Sequence, residues 1–259
     1  MLRPRERGAE CRLEDPYAGI VQAVLEARAP GVRVVHLAHG LPPGDLRRAA
    51  YALFEALPYL PPGSVLLAVV DPGVGTGRRA VAAWGERLYV GPDNGLFTLA
   101  WLLDPPQRAF LLKTLSPPRP EGINPLPGWQ PGGHTFHGRD LFAPAAAHLA
   151  LGLPPEGLGP EVPVEDLVRL PLKLSPGPTG EVLTFDRFGN AITTLLSAPL
   201  GGWVEVAGKR LRVLRTFGEA REGEALAYLG SAGLLEIAVN RGSAREALSL
   251  REGMPVRLL

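Results

Sequence analysis

A chain of 259 residues holds one large domain or two smaller ones, because single cores stop growing at roughly 250 residues. Hydrophobic content of 46% and a mean hydropathy of +0.07 supply a packed core, while 27 Lys and Arg against 26 Asp and Glu give no global field for nucleic acid or an anionic membrane surface. The single cysteine, Cys11, excludes an internal disulfide framework and a Cys-based zinc site, and fits a reducing cytoplasm.

No apolar run reaches the roughly 18 residues that span a bilayer, and the arginines at the start precede no apolar core of signal-peptide type. A soluble, unexported, cytoplasmic protein is expected. The 28 prolines and 32 glycines are scattered between apolar segments, which reads as short loops, and arginine in excess of lysine with few sulfur residues points weakly to a thermophile.

Residues 1–12 carry four arginines and no apolar run, so the strand that should open a βαβ unit is either missing there or replaced by something irregular. A helix is expected over Tyr17 to Arg28, with Ile20, Val21, Val24 and Leu25 on one face, then a strand Val32 to Leu37. His39 follows that strand's end, a site-like place, although most histidines so placed are structural. Asp45 is a suitable N-cap for a helix through Leu57, where Leu46, Ala49, Leu53 and Phe54 recur at helical spacing.

Ser64 to Val70 is unbroken apolar sequence and reads as a strand buried on both faces at the centre of a parallel sheet. Asp71 then sits at its C-terminal end, where ligands of open α/β sheets bind. Pro72 stops the ladder, and Gly73, Gly75 and Gly77 let the loop turn back so that Arg78 can meet Asp71. The plainer alternative is a tight turn capped by a surface ion pair.

Strands are expected at Ala80 to Trp84 and Arg87 to Val90, joined by Gly85-Glu86. Gly91 to Gly95 break the sheet and start a helix Leu96 to Leu103 that Asp93 and Asn94 would cap. After a strand Ala109 to Lys113, a proline-rich stretch runs to Gly133 without periodic pattern, longer than ordinary connections. His134 to Asp140 open an alanine-rich helix through Leu151, and His137 either points into a cleft or, with Asp140, caps that helix.

The texture changes at 172–178, a linker dividing an α/β domain (1–171) from a β domain (179–259). Beyond it come only short alternating runs: Glu181 to Phe185, Ala191 to Leu196, Trp203 to Val206, Arg210 to Leu214, Leu226 to Leu229, Leu234 to Val239 and Pro255 to Leu259. Turn residues separate them at regular spacing, as in a small antiparallel barrel or sandwich. The fold class is thus α/β, a mainly parallel central sheet followed by an antiparallel β-barrel.

Six blocks stand in order along the chain: DPYAG at Asp15, VVDPGVGTGRR at Val69, VGPDNGL at Val90, FHGRD at Phe136, FDRFGN at Phe185 and SAGLLEIAVNRGSA at Ser231. Together they resemble the S-adenosylmethionine hydroxide adenosyltransferases, relatives of the fluorinase and chlorinase enzymes. The resemblance implies an α/β domain and a β-barrel assembled as a trimer, with S-adenosylmethionine between the first domain of one subunit and the second of the next. It implies splitting of that substrate by water into adenosine and L-methionine by Asp71, Arg78 and His137. It also implies Ser231 and Glu236 near the methionine portion, Asn190 and the main chain of Val239 near adenine, Phe188 against a ring, and Asp186 on the α-ammonium. No metal or cofactor is implied. One departure stands out: the family's first strand ends in T-D-F-G, whose aspartate grips the ribose hydroxyls, whereas Glu10-Cys11-Arg12 precede Leu13 here. A binder of adenosine or S-adenosylmethionine that has lost turnover through this altered N-terminus is the alternative reading.

Overall fold

The computed structural model of the protein describes residues 15–113 and 135–259; the anomalous start with Cys11, the proline-rich stretch and His134 lie outside the described residues. Two compact units emerge, Met1–Leu170 and Pro171–Leu259. The first is α/β and the second antiparallel β, the class indicated by the sequence.

The first unit contains helices α1 (Tyr17–Arg28), α2 (Leu46–Ala56), α3 (Ala100–Leu103) and α4 (Ala143–Ala150), and strands β1 (Val65–Leu67), β2 (Ala80–Trp84), β3 (Leu88–Pro92), β4 (Arg108–Leu111) and β5 (Glu161–Val162). The strands form one sheet in the order β1-β3-β2-β4-β5. It is mixed among the described residues: β1 runs parallel to β3, and the other neighbours are antiparallel.

Both faces are covered, which is why the strands read as continuous apolar runs rather than alternating ones. On one face Leu66, Val81, Ala83, Tyr89 and Ala109 pack with Ala49, Leu53 and Leu57 of the α2 region and with Phe97, Ala100 and Trp101. The other face sets Ala80, Ala82 and Val90 against Phe142, Ala145, Ala146 and Leu149. On this face α4, itself rich in alanine, lies over β1 and β3.

Three expectations need correction. Val32 to Leu37 forms no strand, and Val35 and Leu37 are 60% and 47% exposed. Consequently β1 is the edge of the described sheet rather than its centre, is regular over only three residues, and is followed by an exposed Val69 outside the strand. A parallel strand needs neighbours for its backbone groups as well as apolar side chains, and an apolar run alone does not supply them. The helix expected over Leu96 to Leu103 is also shorter, its first residues forming turns before α3.

In the second unit all seven short runs are strands: β6 (Thr179–Phe185), β7 (Ala191–Thr193), β8 (Trp203–Val206), β9 (Lys209–Arg212), β10 (Ala225–Leu229), β11 (Leu235–Val239) and β12 (Pro255–Leu258), with the short helix α5 (Ala244–Ala247) after β11. Their order is β10-β11-β7-β6-β12-β8-β9, entirely antiparallel. Just past β9, Val213 bridges Ala227 of β10, so the sheet nearly closes on itself around Val182, Leu195, Val204, Val206, Ile237 and Val256.

Asp104 fixes the β2–β3 hairpin from below. Its Oδ1 accepts the amide of Glu86 at 2.6 Å, and its Oδ2 accepts the amide of Arg87 at 3.0 Å and the hydroxyl of buried Tyr89 at 2.8 Å. Burial, the bond to Asp104 and its negative charge all push the Tyr89 phenol well above its ordinary value. The folded state therefore keeps this proton where the unfolded chain, above about pH 10, releases it. Stability should fall as pH rises through that value, and urea titrations should show the fall reduced in Tyr89→Phe relative to the parent.

Candidate active site

The loop between β1 and β2 is shaped by its own short-range bonds. The Thr76 amide and hydroxyl both donate to the carbonyl of Gly73, at 3.1 and 2.7 Å, and the Thr76 oxygen accepts the amide of Arg78 at 3.3 Å. Gly75 takes φ +78°, which a side chain would resist. This turn carries Arg78 back over Asp71.

There the guanidinium grips the carboxylate with two donors: Nε donates to Asp71 Oδ1 at 2.8 Å and Nη2 donates to Oδ2. The two side chains are only 11% and 6% exposed, so this is no surface ion pair. Nη2 also meets His137 Nδ1 at 2.7 Å. A guanidinium has only donors, so Nδ1 is the acceptor and the ring proton sits on Nε2. Residues 71, 78 and 137, far apart in sequence, therefore form one bonded group.

His137 owes its place to a turn of π-helix, Gly138–Phe142, that leads into α4. A Cβ at Gly138 would press on Phe136 and on Val21 of α1, while Tyr17 packs edge-on against Phe136 at 5.0 Å. The buried Phe142 ring lies beneath both partners, 5.3 Å from the Arg78 guanidinium carbon and 6.3 Å from the His137 ring. Asp140 does not cap the helix; it pairs with Arg139. His39 stands apart from this group and instead meets His36 at 2.8 Å. Burial, and then His36, hold it below the usual histidine value.

Asp93 and Asn94 are not helix caps, since α3 begins only at Ala100. They bond the loop's two ends and were missed as site residues, although an Asp-Asn pair between glycines at a strand end is the available signal. Thr76 and Phe142 were also missed, the first looking like an ordinary turn residue and the second like core.

In the barrel unit the expected ligand residues occupy β11 and the turn before β7. Asp186 builds that turn: its Oδ1 accepts the amides of Phe188 and Asn190 at 2.8 and 2.9 Å, and its Oδ2 accepts the Asn190 side-chain amide at 2.8 Å. Asn190 is buried beside the Ala191–Ile237 pairing, whereas Phe188 is 61% exposed under the Arg187 guanidinium. Glu236 is buried on β11 and accepts the hydroxyl of Tyr228, its cross-strand partner on β10; a Cβ at Gly230 would collide with its carboxylate. Ser231 is exposed in the turn that precedes β11, and the Val239 carbonyl at its far end accepts the Gly242 amide at 3.0 Å. Ser231 and Val239 thus mark opposite ends of one strand. Among the described residues, no group of three or more His, Cys, Asp or Glu is placed to hold a metal ion.

An α/β unit with a charged Asp–Arg–His group at a strand end, followed by a nearly closed β-barrel, defines the class of protein. More narrowly, the chain belongs to the SAM hydroxide adenosyltransferase family, whose N-terminal domain model matches residues 11–159 and whose C-terminal domain model matches 180–257. It is 75% identical, over all of both chains, to a Thermus thermophilus protein named (R)-S-adenosyl-L-methionine hydrolase. A more distant relative is the fluorinase of Actinopolyspora mzabensis, 26% identical over 88% of this chain and 87% of its own. A solved structure of a conserved hypothetical protein from Thermus thermophilus superposes with a TM-score of 0.85 at 73% identity, over 95% of each chain.

The FDRFGN turn and the loop after β11 depend on close contact. Gly189 has φ +81°, its carbonyl accepts the Arg245 amide at 2.9 Å, and a Cβ there would strike the Ser243 side chain. Gly189→Ala should lower the unfolding free energy by about 1–3 kcal/mol through strain and overpacking, checked by urea denaturation.

Proposed function

We propose that the protein hydrolyses S-adenosylmethionine at ribose C5′, releasing adenosine and L-methionine. The observation that carries this reading is the bonded Asp71–Arg78–His137 group, in a chain that shares three-quarters of its residues with a named hydrolase of that substrate. The relative's name specifies the (R) sulfonium, and we assign the same epimer here. Nothing favours the alternative of a binder without turnover.

The reaction forms a C5′–O bond from water and breaks the C5′–S bond, whose electron pair leaves with a neutral thioether. The second water proton must go to a base. Water is a poor nucleophile with a pKa near 15.7, and removing its proton as it attacks lowers the barrier. Asp71 takes that proton: each carboxylate oxygen bonded to Arg78 retains a further lone pair. Arg78 favours negative charge at the attacking oxygen, and His137, held by Arg78, orients the water in line. A sulfonium approached by a partly anionic nucleophile loses charge on reaching the transition state, so a site that solvates neither charge well accelerates the step. This scheme draws on no metal or cofactor.

In the barrel unit we assign Ser231 and Glu236 to the methionine portion and Asn190 with the Val239 main chain to adenine. Phe188 lies against a ring, and Asp186 acts on the α-ammonium while building the turn. We take 1–171 and 179–259 as the two domains and 172–178 as their linker. The chain is proposed to be a cytoplasmic homotrimer with its sites at subunit interfaces.

Incubation with each sulfonium epimer in ¹⁸O-water should yield methionine and adenosine labelled at the 5′-oxygen from the (R) form. Unlabelled adenosine, or no product, would reject the mechanism. Asp71→Ala, Arg78→Ala and His137→Ala should each reduce kcat by about 10²-fold or more, with a smaller effect on KM, as expected of groups acting mainly in the transition state. Light scattering should give three times the 27.6 kDa chain mass; a monomer mass would remove the interface sites.

A further inference from the structure

The sheet order places β3 between β1 and β2, so the chain leaving β1 must pass over the end of β3 to reach β2. Residues 71–79 make that passage. The turn directly after β3, Asp93-Asn94, lies where both ends of the loop arrive and bonds each of them.

At the departing end, Asn94 Nδ2 donates to the carbonyl of Val70, the residue before Asp71, at 2.9 Å. Its Oδ1 accepts the Leu96 amide at 3.2 Å, which fixes the orientation of the side-chain amide. At the returning end, Asp93 holds the residue after Arg78: its amide donates to the Arg79 carbonyl at 3.0 Å, and its Oδ2 accepts Arg79 Nε at 2.7 Å. The Asp93 side chain is fully buried, and its Oδ1 accepts the Val168 amide at 2.8 Å. Arg79 in turn donates to the carbonyl of Asp166.

The flanking glycines let this turn sit so close. A Cβ at Gly91 would collide with the carbonyl of Ala68, and one at Gly95 would come within 2.9 Å of the Leu170 amide nitrogen. Consecutive Cα atoms lie about 3.8 Å apart, so two adjacent residues form a short, stiff anchor for both loop ends.

We propose that Asp93 and Asn94 are positioning residues: by pinning Val70 and Arg79 to one rigid turn they fix the distance over which Arg78 grips Asp71 and presents Nη2 to His137. The proposal deepens the functional reading above and rests on it for its kinetic consequence. A role confined to stability would leave the Asp71–Arg78 geometry of the folded protein unchanged.

The test reads that geometry directly. In ¹⁵N spectra of the full chain, the Arg78 Nε–H resonance, assigned by its loss in Arg78→Lys, reports its bond to Asp71 through its rate of exchange with solvent. Asn94→Ala removes the donor to Val70; Asp93→Asn keeps an acceptor for Val168 but loses the charge facing Arg79. Both should speed exchange of the Arg78 proton and lower kcat by up to about 10²-fold, the cost of misplacing a catalytic group by an ångström, with KM nearly unchanged. In an Asp71→Ala background, Asn94→Ala should cost no further activity, because Asn94 acts through the placement of Asp71. A fall in melting temperature with wild-type exchange and wild-type kcat in both variants would overturn the proposal. Absence of methionine release by the parent protein would reject the hydrolase reading instead, while the exchange rates would still decide for or against the anchor.

Discussion

A carboxylate and a guanidinium withdrawn from water need one another. Each ion alone would cost several kcal/mol to bury, and only close geometry with further hydrogen bonds offsets that cost. The Asp71–Arg78 contact meets this condition through two parallel donors and a shared imidazole acceptor. Much of the first unit can be understood as keeping it so: β1 delivers Asp71, the Thr76 turn returns Arg78, α4 and its π-turn bring His137, and Phe142 closes the apolar side. Burial explains why the loop cannot be an ordinary surface turn, since a mobile ion pair at 6–11% exposure would spend time with its charges unmatched.

The antiparallel unit was almost wholly legible in the sequence, and the α/β unit less so. Short alternating runs separated by turn residues state both period and boundary, and Trp203 to Val206 and Ala225 to Leu229 need only local pairing to become strands. Val32 to Leu37 has the same apolar character without becoming one, because a parallel strand depends on neighbours distant in sequence. β1 shows the same dependence, paired on one side to β3 and losing regularity after Leu67.

Of the proposed site, the three side chains that bond to one another were legible and their supports were not. Asp71 and Arg78 announce themselves by a strand end followed by a glycine-rich loop, but His137 stands out only once the family resemblance is admitted. Asp93 and Asn94 looked like helix caps since those side chains commonly serve there. What distinguishes them is the position of β3 between β1 and β2, a fact of topology that no local window contains. The same holds for Gly230 and Tyr228, which acquire meaning only beside Glu236 on the neighbouring strand.

The choice of arginine at position 78 follows from the number of partners it must satisfy together. A lysine ammonium is a compact charge on a flexible stem, able to approach Asp71 but free to pivot around it. The planar fork instead spends Nε and Nη2 on the two carboxylate oxygens and leaves Nη2 within reach of His137 Nδ1, so carboxylate, guanidinium and imidazole are held in one fixed relation. Since Nδ1 must accept, the imidazole turns Nε2–H away from the pair. In the proposed reaction, Asp71 and His137 therefore meet the attacking water as one fixed unit, the carboxylate to take its proton and the imidazole to orient it.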